Sequence, residues 1–435
     1  MGRRFVVTAT GDALITRRLI DYPDAEFQGM VELIKSADVA FTNMEMCLSN
    51  YRGTPVVESG GGNLSADPRV AKDLQRIGFN LTAFANNHTL NYGIEGCLTT
   101  IDTLDAYDFT CAGAGRNLAE ARSPVYLDVP NGRVGLVACA STFANGQQAG
   151  VQRADAPGRP GLNPQRFDTY YVVDQEHLDA VKRIADRTGM EKKQQFSYTT
   201  GFRQRPERED VFIFADRNFI VGDEFGVKTE AHQGDLAGNT HSVKDATELS
   251  DLTLVSLHAH EEGPERWEPA DFIVELAHAC VDAGADMVIG HGPHLLRGLE
   301  IYQGKPIFYS VGNFIFDVEN LKYLPADDYE SLGADPSLTA HEVFNFMFDH
   351  GKRGFPSERY YWETVLPIVT FEDRKLTGID LHPVSLGFGL TGPERGLPRL
   401  AAPHVGQEIL AWMAELSKPY GTKIQIVGGV GKVMV

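Results

Sequence analysis

The chain has 435 residues, 43% apolar and 23% charged, which is enough to bury a full core and to hold two or three average domains. Fifty-nine acidic residues against 40 basic ones leave a net charge of −19. That balance argues against a nucleic-acid surface, and the lack of a basic run argues against an anionic-membrane surface.

The N-terminus, MGRRFVVTATGD, enters a strand almost at once. Its apolar run is too short for a signal-peptide core and is interrupted by Asp12. Val6 stands where myristoylation prefers Ser or Thr. No stretch approaches the ~20 apolar residues of a membrane span, so the expected location is the cytoplasm.

Residues 1–142 alternate strand and helix. FVVTAT precedes a helix near 25–36, and VAFTNM precedes a glycine-rich loop at 59–63. A helix near 67–77 leads to LTAFAN, then to a helix near 94–107 and a short strand at 109–112. VYLDV and RVGLVACAS, joined at Asn131–Gly132, predict a hairpin. Residues 143–250 change character, with a Gly/Pro/Gln-rich opening, a helix near 174–188, a strand pair in VFIFADRNFIVGD and polar stretches at 191–210 and 228–243. This block reads as an insertion, either a substrate cap or a dimer element. Alternation resumes at 251–435 with LTLVSLH, a helix near 269–283, DMVIGH, LEIYQ and PIFYSVGN. The aromatic segment 318–362 reads equally as a lid or as a satellite hydrophobic cluster. A strand (VLPIVTFED), a helix near 404–417 and IQIV close the chain. The pattern predicts an α/β fold.

Five of these apolar runs end in loops that carry metal-ligand types: Asp12, Glu45, Asn87 with His88, His258 with His260, and His291 with His294. Taken singly, each has an ordinary explanation. Asp12 reads as a helix cap, the asparagines 86, 87 and 91 as turn formers, and Gly-His-Gly-Pro-His as a polar turn. Glu45 is the exception, because an unpaired carboxylate inside an apolar run is costly. Together they read as a metal site built from strand ends. One Asp, one Glu, one Asn and several His suit one or two divalent transition ions (Mn, Zn or Fe) better than Ca or Mg. In a two-metal site the ions lie ~3.5–4 Å apart, activate a hydroxide and stabilise the oxyanion. A histidine beside a ligand can protonate the leaving group. The five cysteines, at 47, 97, 111, 139 and 280, form no CxxC pair and read as reduced buried thiols, Cys47 included despite its place near Glu45.

The segments GDALITR (Gly11–Arg17), NMEMCLS (Asn43–Ser49), NNHTLNYG (Asn86–Gly93), HAHEEG (His258–Gly263), GHGPHLLRGLE (Gly290–Glu300) and YSVGNFIFD (Tyr309–Asp317) resemble, in this order, the CapA family. This is the poly-γ-glutamate synthesis protein family within the calcineurin-like metallophosphoesterase superfamily. PVSLGFG, RGLPRLA and LSKPYGTKIQIVGGVG extend the likeness over nearly the whole chain outside 143–250. The resemblance implies a four-layer α/β/β/α sandwich. It implies Asp12 and His294 on a first metal, Glu45 bridging, Asn87, His258 and His291 on a second, and His88 as catalytic acid. Arg17 and Asn313 would orient ligands or substrate. Arg297, read by itself, could attract an anionic substrate, although it reads more simply as a solvated loop arginine.

Two departures stand out. The wider superfamily places His two residues after the first Asp, where this chain has Leu14. The family's usual Trp-Gly after the fourth-motif His is replaced by Ala259-His260-Glu261, so His260 is either a further ligand or a substrate contact. The expected function is a soluble hydrolase that attacks an amide (γ-glutamyl-like) or phosphoester bond in a small-molecule or peptide-like substrate. The alternative is a non-catalytic metal-binding component of a polymer-synthesis machinery. Nucleic acid and membrane are not expected as partners, and homo-oligomerisation is left open.

Overall fold

The computed structural model describes residues 2–19, 22–206 and 208–434. Local sequence explains its elements. The helix Ala25–Lys35 opens on Asp24, whose side chain accepts from the Phe27 amide, and it buries Phe27, Met30, Val31 and Ile34 at the i, i+3, i+4, i+7 spacing of one helical face. The strand Leu252–His258 is buried at every residue, as an interior parallel strand covered on both faces must be.

Two mixed sheets face each other. The ten-stranded sheet runs in the order Ile424–Val427, Val430–Val433, Lys375–Ser385, Glu363–Glu372, Arg4–Ile15, Val39–Met44, Leu81–Ala83 and Thr110–Ala112, with Asn313–Asp317 and Arg399–Leu400 paired to Arg4–Ile15 and Lys375–Ser385 off this path. The six-stranded sheet runs Leu299–Tyr302, Lys305–Phe308, Met287–His291, Leu252–His258, Gly132–Ala140 and Val125–Val129. The strand Arg4–Ile15 changes partner along its length. Arg4–Thr8 pairs antiparallel with Ile368–Glu372, whereas Asp12–Ile15 pairs parallel with Asn313–Asp317.

The inner faces share one apolar cluster that includes Phe5, Val7 and Phe41 from the first sheet and Leu136, Leu254 and Ile289 from the second. Helices Ala25–Lys35, Val70–Ile77 and Gly93–Ala106 contribute to the cluster on the outer side of the large sheet. Helices Gln233–Leu249 and Asp271–Asp282 do the same for the small one. The fold is therefore the four-layer α/β/β/α sandwich.

The block 143–250 contains a four-stranded sheet of Phe212–Phe214, Arg217–Val221, Phe167–Val173 and Gly226–Ala231. It also supplies the helix Gln233–Leu249 of the outer layer. The polar stretch at 191–210 begins within the helix Met190–Thr199, and the polar stretch at 228–243 carries the end of the strand Gly226–Ala231 and the start of the helix Gln233–Leu249. The aromatic segment holds two short helices, Ala326–Leu332 and Ala340–Met347. No described helix is long and apolar enough to cross a membrane.

Candidate metal centre

The candidate donors meet near the ends of the parallel strands of both sheets, with Asp12 lying inside the strand Arg4–Ile15 rather than in a loop after it. In the large sheet Asp12 is in register with Asn43 on one side and Asn313 on the other. Glu45 follows the next strand by one residue, and Asn87 and His88 lie just beyond Leu81–Ala83. In the small sheet His258 is paired directly with His291. Glycine at 11 lets the first strand approach the Gly312 turn, since a Cβ there would collide with the Gly312 carbonyl, and the Asp12 amide donates to that carbonyl at 3.1 Å.

Two groups of donors converge, Asp12 with His258 and His291, and Glu45 with His260 and His294, the donor atoms of each group lying within 4.8 Å of one another. Asp12 Oδ1 is 3.4 Å from His291 Nδ1 and 3.7 Å from His258 Nδ1, while Oδ2 is 3.4 Å from His294 Nδ1. Glu45 Oε1 lies 3.6 Å from His258 Nε2, and Oε2 lies 3.9 Å from His294 Nδ1. Asp12 thus stands between His258 and His291 on one oxygen and His294 on the other. Asn87 donates its amide to the Gly60 carbonyl at 3.0 Å, which turns its Oδ1 toward His258 Nε2 at 2.9 Å.

The electrostatics fit cation binding. Glu45, Asp12, His258 and His291 are essentially buried, and neither Glu45 oxygen has a hydrogen-bond partner. Such a carboxylate is expensive unless a positive charge meets it. Burial, followed by the neighbouring Asp12 charge, pushes the Glu45 carboxyl well above its usual range. At Asp12 burial acts the same way, but hydrogen bonds from His291 and His294 more than offset it and hold the carboxyl low. Burial pushes His258 far below 6.5 and His260 down to about 3. These imidazoles are therefore neutral near pH 7, the form in which histidine binds metal. A mixed set of carboxylates, an amide oxygen and imidazoles is one that a divalent metal ion can use.

His88 lies beside the donors, its Nε2 3.9 Å from Glu45 Oε1. Asn91 Oδ1 accepts from the Leu64 amide at 2.8 Å, so it also accepts from His88 Nδ1 at 2.7 Å, which leaves Nε2 as the lone-pair nitrogen toward the centre. Burial draws the His88 pKa down to about 4, with the Asn91 contact opposing.

His294 adopts a left-handed backbone, φ 63°, uncommon for a residue with a side chain. Asn313 secures it, with Oδ1 2.9 Å from Nδ1 and the amide donating to the His294 carbonyl at 3.3 Å. Phe355 of the aromatic segment stands edge-on to His294 at 5.7 Å. Asn313 thus contacts a donor residue. Arg17 pairs with Asp317 at 3.2 Å. Arg297 is not a solvated loop residue. It is fully buried, with Nη2 on the His260 carbonyl and Nε on the Arg266 carbonyl, and burial pulls its pKa down to about 10. The carbonyls of the neighbouring turn draw it inward.

Sequence reasoning missed Asn43, whose amide lies 2.9 Å from Asp12 Oδ1 and 3.3 Å from His258 Nδ1. It also missed Ser256, 2.7 Å from His291 Nε2. The NxE spacing was the available signal for Asn43; nothing marked Ser256. Cys47 donates to the His88 and Thr89 carbonyls and is free, as are the other four cysteines. Beyond the glycine loop lies a pocket of about 370 Å³, lined by Val57, Gly60, Leu324, Leu332, Val343 and Phe344 among others.

Carboxylates and an amide from one sheet, set against imidazoles from the other, define a strand-end site of the α/β/β/α sandwich class. The chain belongs to the family described as bacterial capsule synthesis protein PGA_cap, which matches residues 6–318. It is 34% identical over 441 residues to the y4sH protein of Sinorhizobium fredii, covering 99% of this chain and 93% of that one. It is 24% identical to the capsule biosynthesis protein CapA of Bacillus anthracis over 72% of this chain and 60% of that protein. A solved hypothetical protein from Thermus thermophilus aligns with a TM-score of 0.40 and 12% identity, over 87% of this chain and 98% of that one.

Proposed function

We propose that the chain is a metal-dependent hydrolase that cleaves an amide bond of γ-glutamyl type or a phosphoester bond at the strand-end centre. The single observation that carries this reading is Glu45, a buried carboxylate with two unpartnered oxygens facing the imidazoles of His258 and His294. Bound divalent ions would supply Lewis acidity and a nucleophile formed from water at neutral pH. Asp12, Glu45, Asn87, His258, His291 and His294 would hold them. Asn43 and Asn313 orient donors by hydrogen bonding. His88 presents a lone pair at Nε2, placed to take up a proton and return it to a leaving group. The pocket beyond the glycine loop, linked to the centre through the Gly60–Asn87 hydrogen bond, would suit a substrate with an apolar portion.

A second reading, a non-catalytic metal-binding component of polymer synthesis, is favoured by one feature. His88 is held by the neutral Asn91 rather than by a carboxylate, which leaves its imidazolium form unsupported.

The test combines elemental analysis of the purified protein with assays on phosphoester and γ-glutamyl amide panels containing added Mn, Zn or Fe. Copurifying metal with turnover supports the hydrolase. Metal without turnover on any substrate supports the second reading, and the absence of any transition metal rejects both.

A further inference from the structure

We propose that His260 is itself a metal ligand, forming with Glu45 and His294 a second cation position and so replacing the histidine absent at Leu14. The inference rests on the metal-dependent reading above. Leu14 is not available to that centre, because it is 2% exposed and belongs to the apolar cluster on the helix-covered side of the large sheet.

His260 enters the centre from the opposite sheet. Its Nε2 is 3.0 Å from His258 Nε2, and it shares a donor cluster with Glu45 and His294. Two imidazole nitrogens and a partnerless carboxylate at this spacing leave room for a cation as their common partner.

The backbone around His260 is fixed on both sides. Its amide donates to Thr142 Oγ1 at 2.8 Å, and the Thr142 hydroxyl donates to Glu261 Oε1 at 2.9 Å. Ser141 braces the other Glu261 oxygen at 2.6 Å. The His260 carbonyl accepts from the buried Arg297 at 3.1 Å. Gly292, at φ 115°, makes room for the ring, since a Cβ there would lie 2.9 Å from His260 Cδ2. A surface histidine that merely touched substrate would not need four residues and a glycine to hold it. These contacts fix the backbone that carries the ring into the centre, and they make Arg297 a positioning residue.

The experiment is a cobalt(II) titration of the chelator-stripped full chain, read by visible absorption and by elemental analysis. The parent is expected to take two ions. His260→Ala should take one, with the second weakened at least about tenfold, the lower bound set by losses of outer-shell partners. His260→Asp should restore the second ion. Thermal melting in chelator should be the same for parent and variants, which separates ligation from folding. Two ions bound equally well by His260→Ala would overturn the inference. So would a parent that binds one ion and keeps it after the substitution, with the metal-dependent reading left standing. A parent that binds none rejects that reading, and this one with it.

Discussion

His258 and His291 face each other in direct register on neighbouring parallel strands, with their Nδ1 atoms 3.0 Å apart and both aimed at Asp12 Oδ1. Ser256, two residues before His258, touches His291 Nε2 and fixes which nitrogen remains for a metal. We expect His291→Ala to abolish binding of one ion in equilibrium dialysis. Ser256→Ala should weaken that ion by about 10- to 100-fold. Unchanged affinity in Ser256→Ala would remove the serine from the site.

His88 should matter for turnover and not for metal content. On any substrate found to be hydrolysed, His88→Ala is expected to lower kcat by about 10²–10⁴ with an unaltered metal analysis. Equal turnover in parent and variant would rule out its proton-transfer role.

Glu363 gives a pH-dependent stability far simpler than that of the centre. Its carboxyl rises from 4.5 to about 6, chiefly through burial, with Arg359 opposing and Glu408 adding. A raised carboxyl pKa means that the group favours the folded state below 4.5 and loses that contribution as pH rises through 6. The ionised form should cost up to about 2 kcal/mol. Glu363→Gln should therefore be more stable than the parent at pH 8 by about that amount and equal to it near pH 4, measured by urea unfolding.

Asp286 ties the sheets together. It accepts from the Thr253 amide at 2.9 Å and from Lys305 at 2.6 Å, and it pairs at 2.8 Å with Arg374 in the turn of the other sheet. Breaking a buried pair typically costs about 3–5 kcal/mol, and because Lys305 and Arg374 reach solvent we expect about 3 for Asp286→Ala. A denaturation midpoint matching the parent would refute this.

Much of the sandwich was legible because its strands are apolar runs and its helices carry 3.6-residue periodicity, as in Ala25–Lys35. The helix Gln233–Leu249 was not, because its buried face includes Asp235, Asn239 and Ser242. Asp235 is neutralised by Arg166 at 2.6 Å and Arg122 at 3.2 Å, and Asn239 bonds to Asn163 and Gln165. Hydropathy does not register a polar face that tertiary partners satisfy. The donors of the centre were readable because each ends an apolar run. Ser256 and Thr142 acquire their roles from strand register and from the end of a neighbouring strand, and neither leaves a local mark.

Donors that come half from one sheet and half from the other have a thermodynamic corollary. An ion held between Asp12 and His291 would cross-link the two halves of the sandwich and would be released when they part. Unfolding would then be linked to free ion concentration, adding about 2.7 kcal/mol when the ion is at a hundred times its Kd. The melting temperature of this protein should therefore report how much metal its surroundings contain.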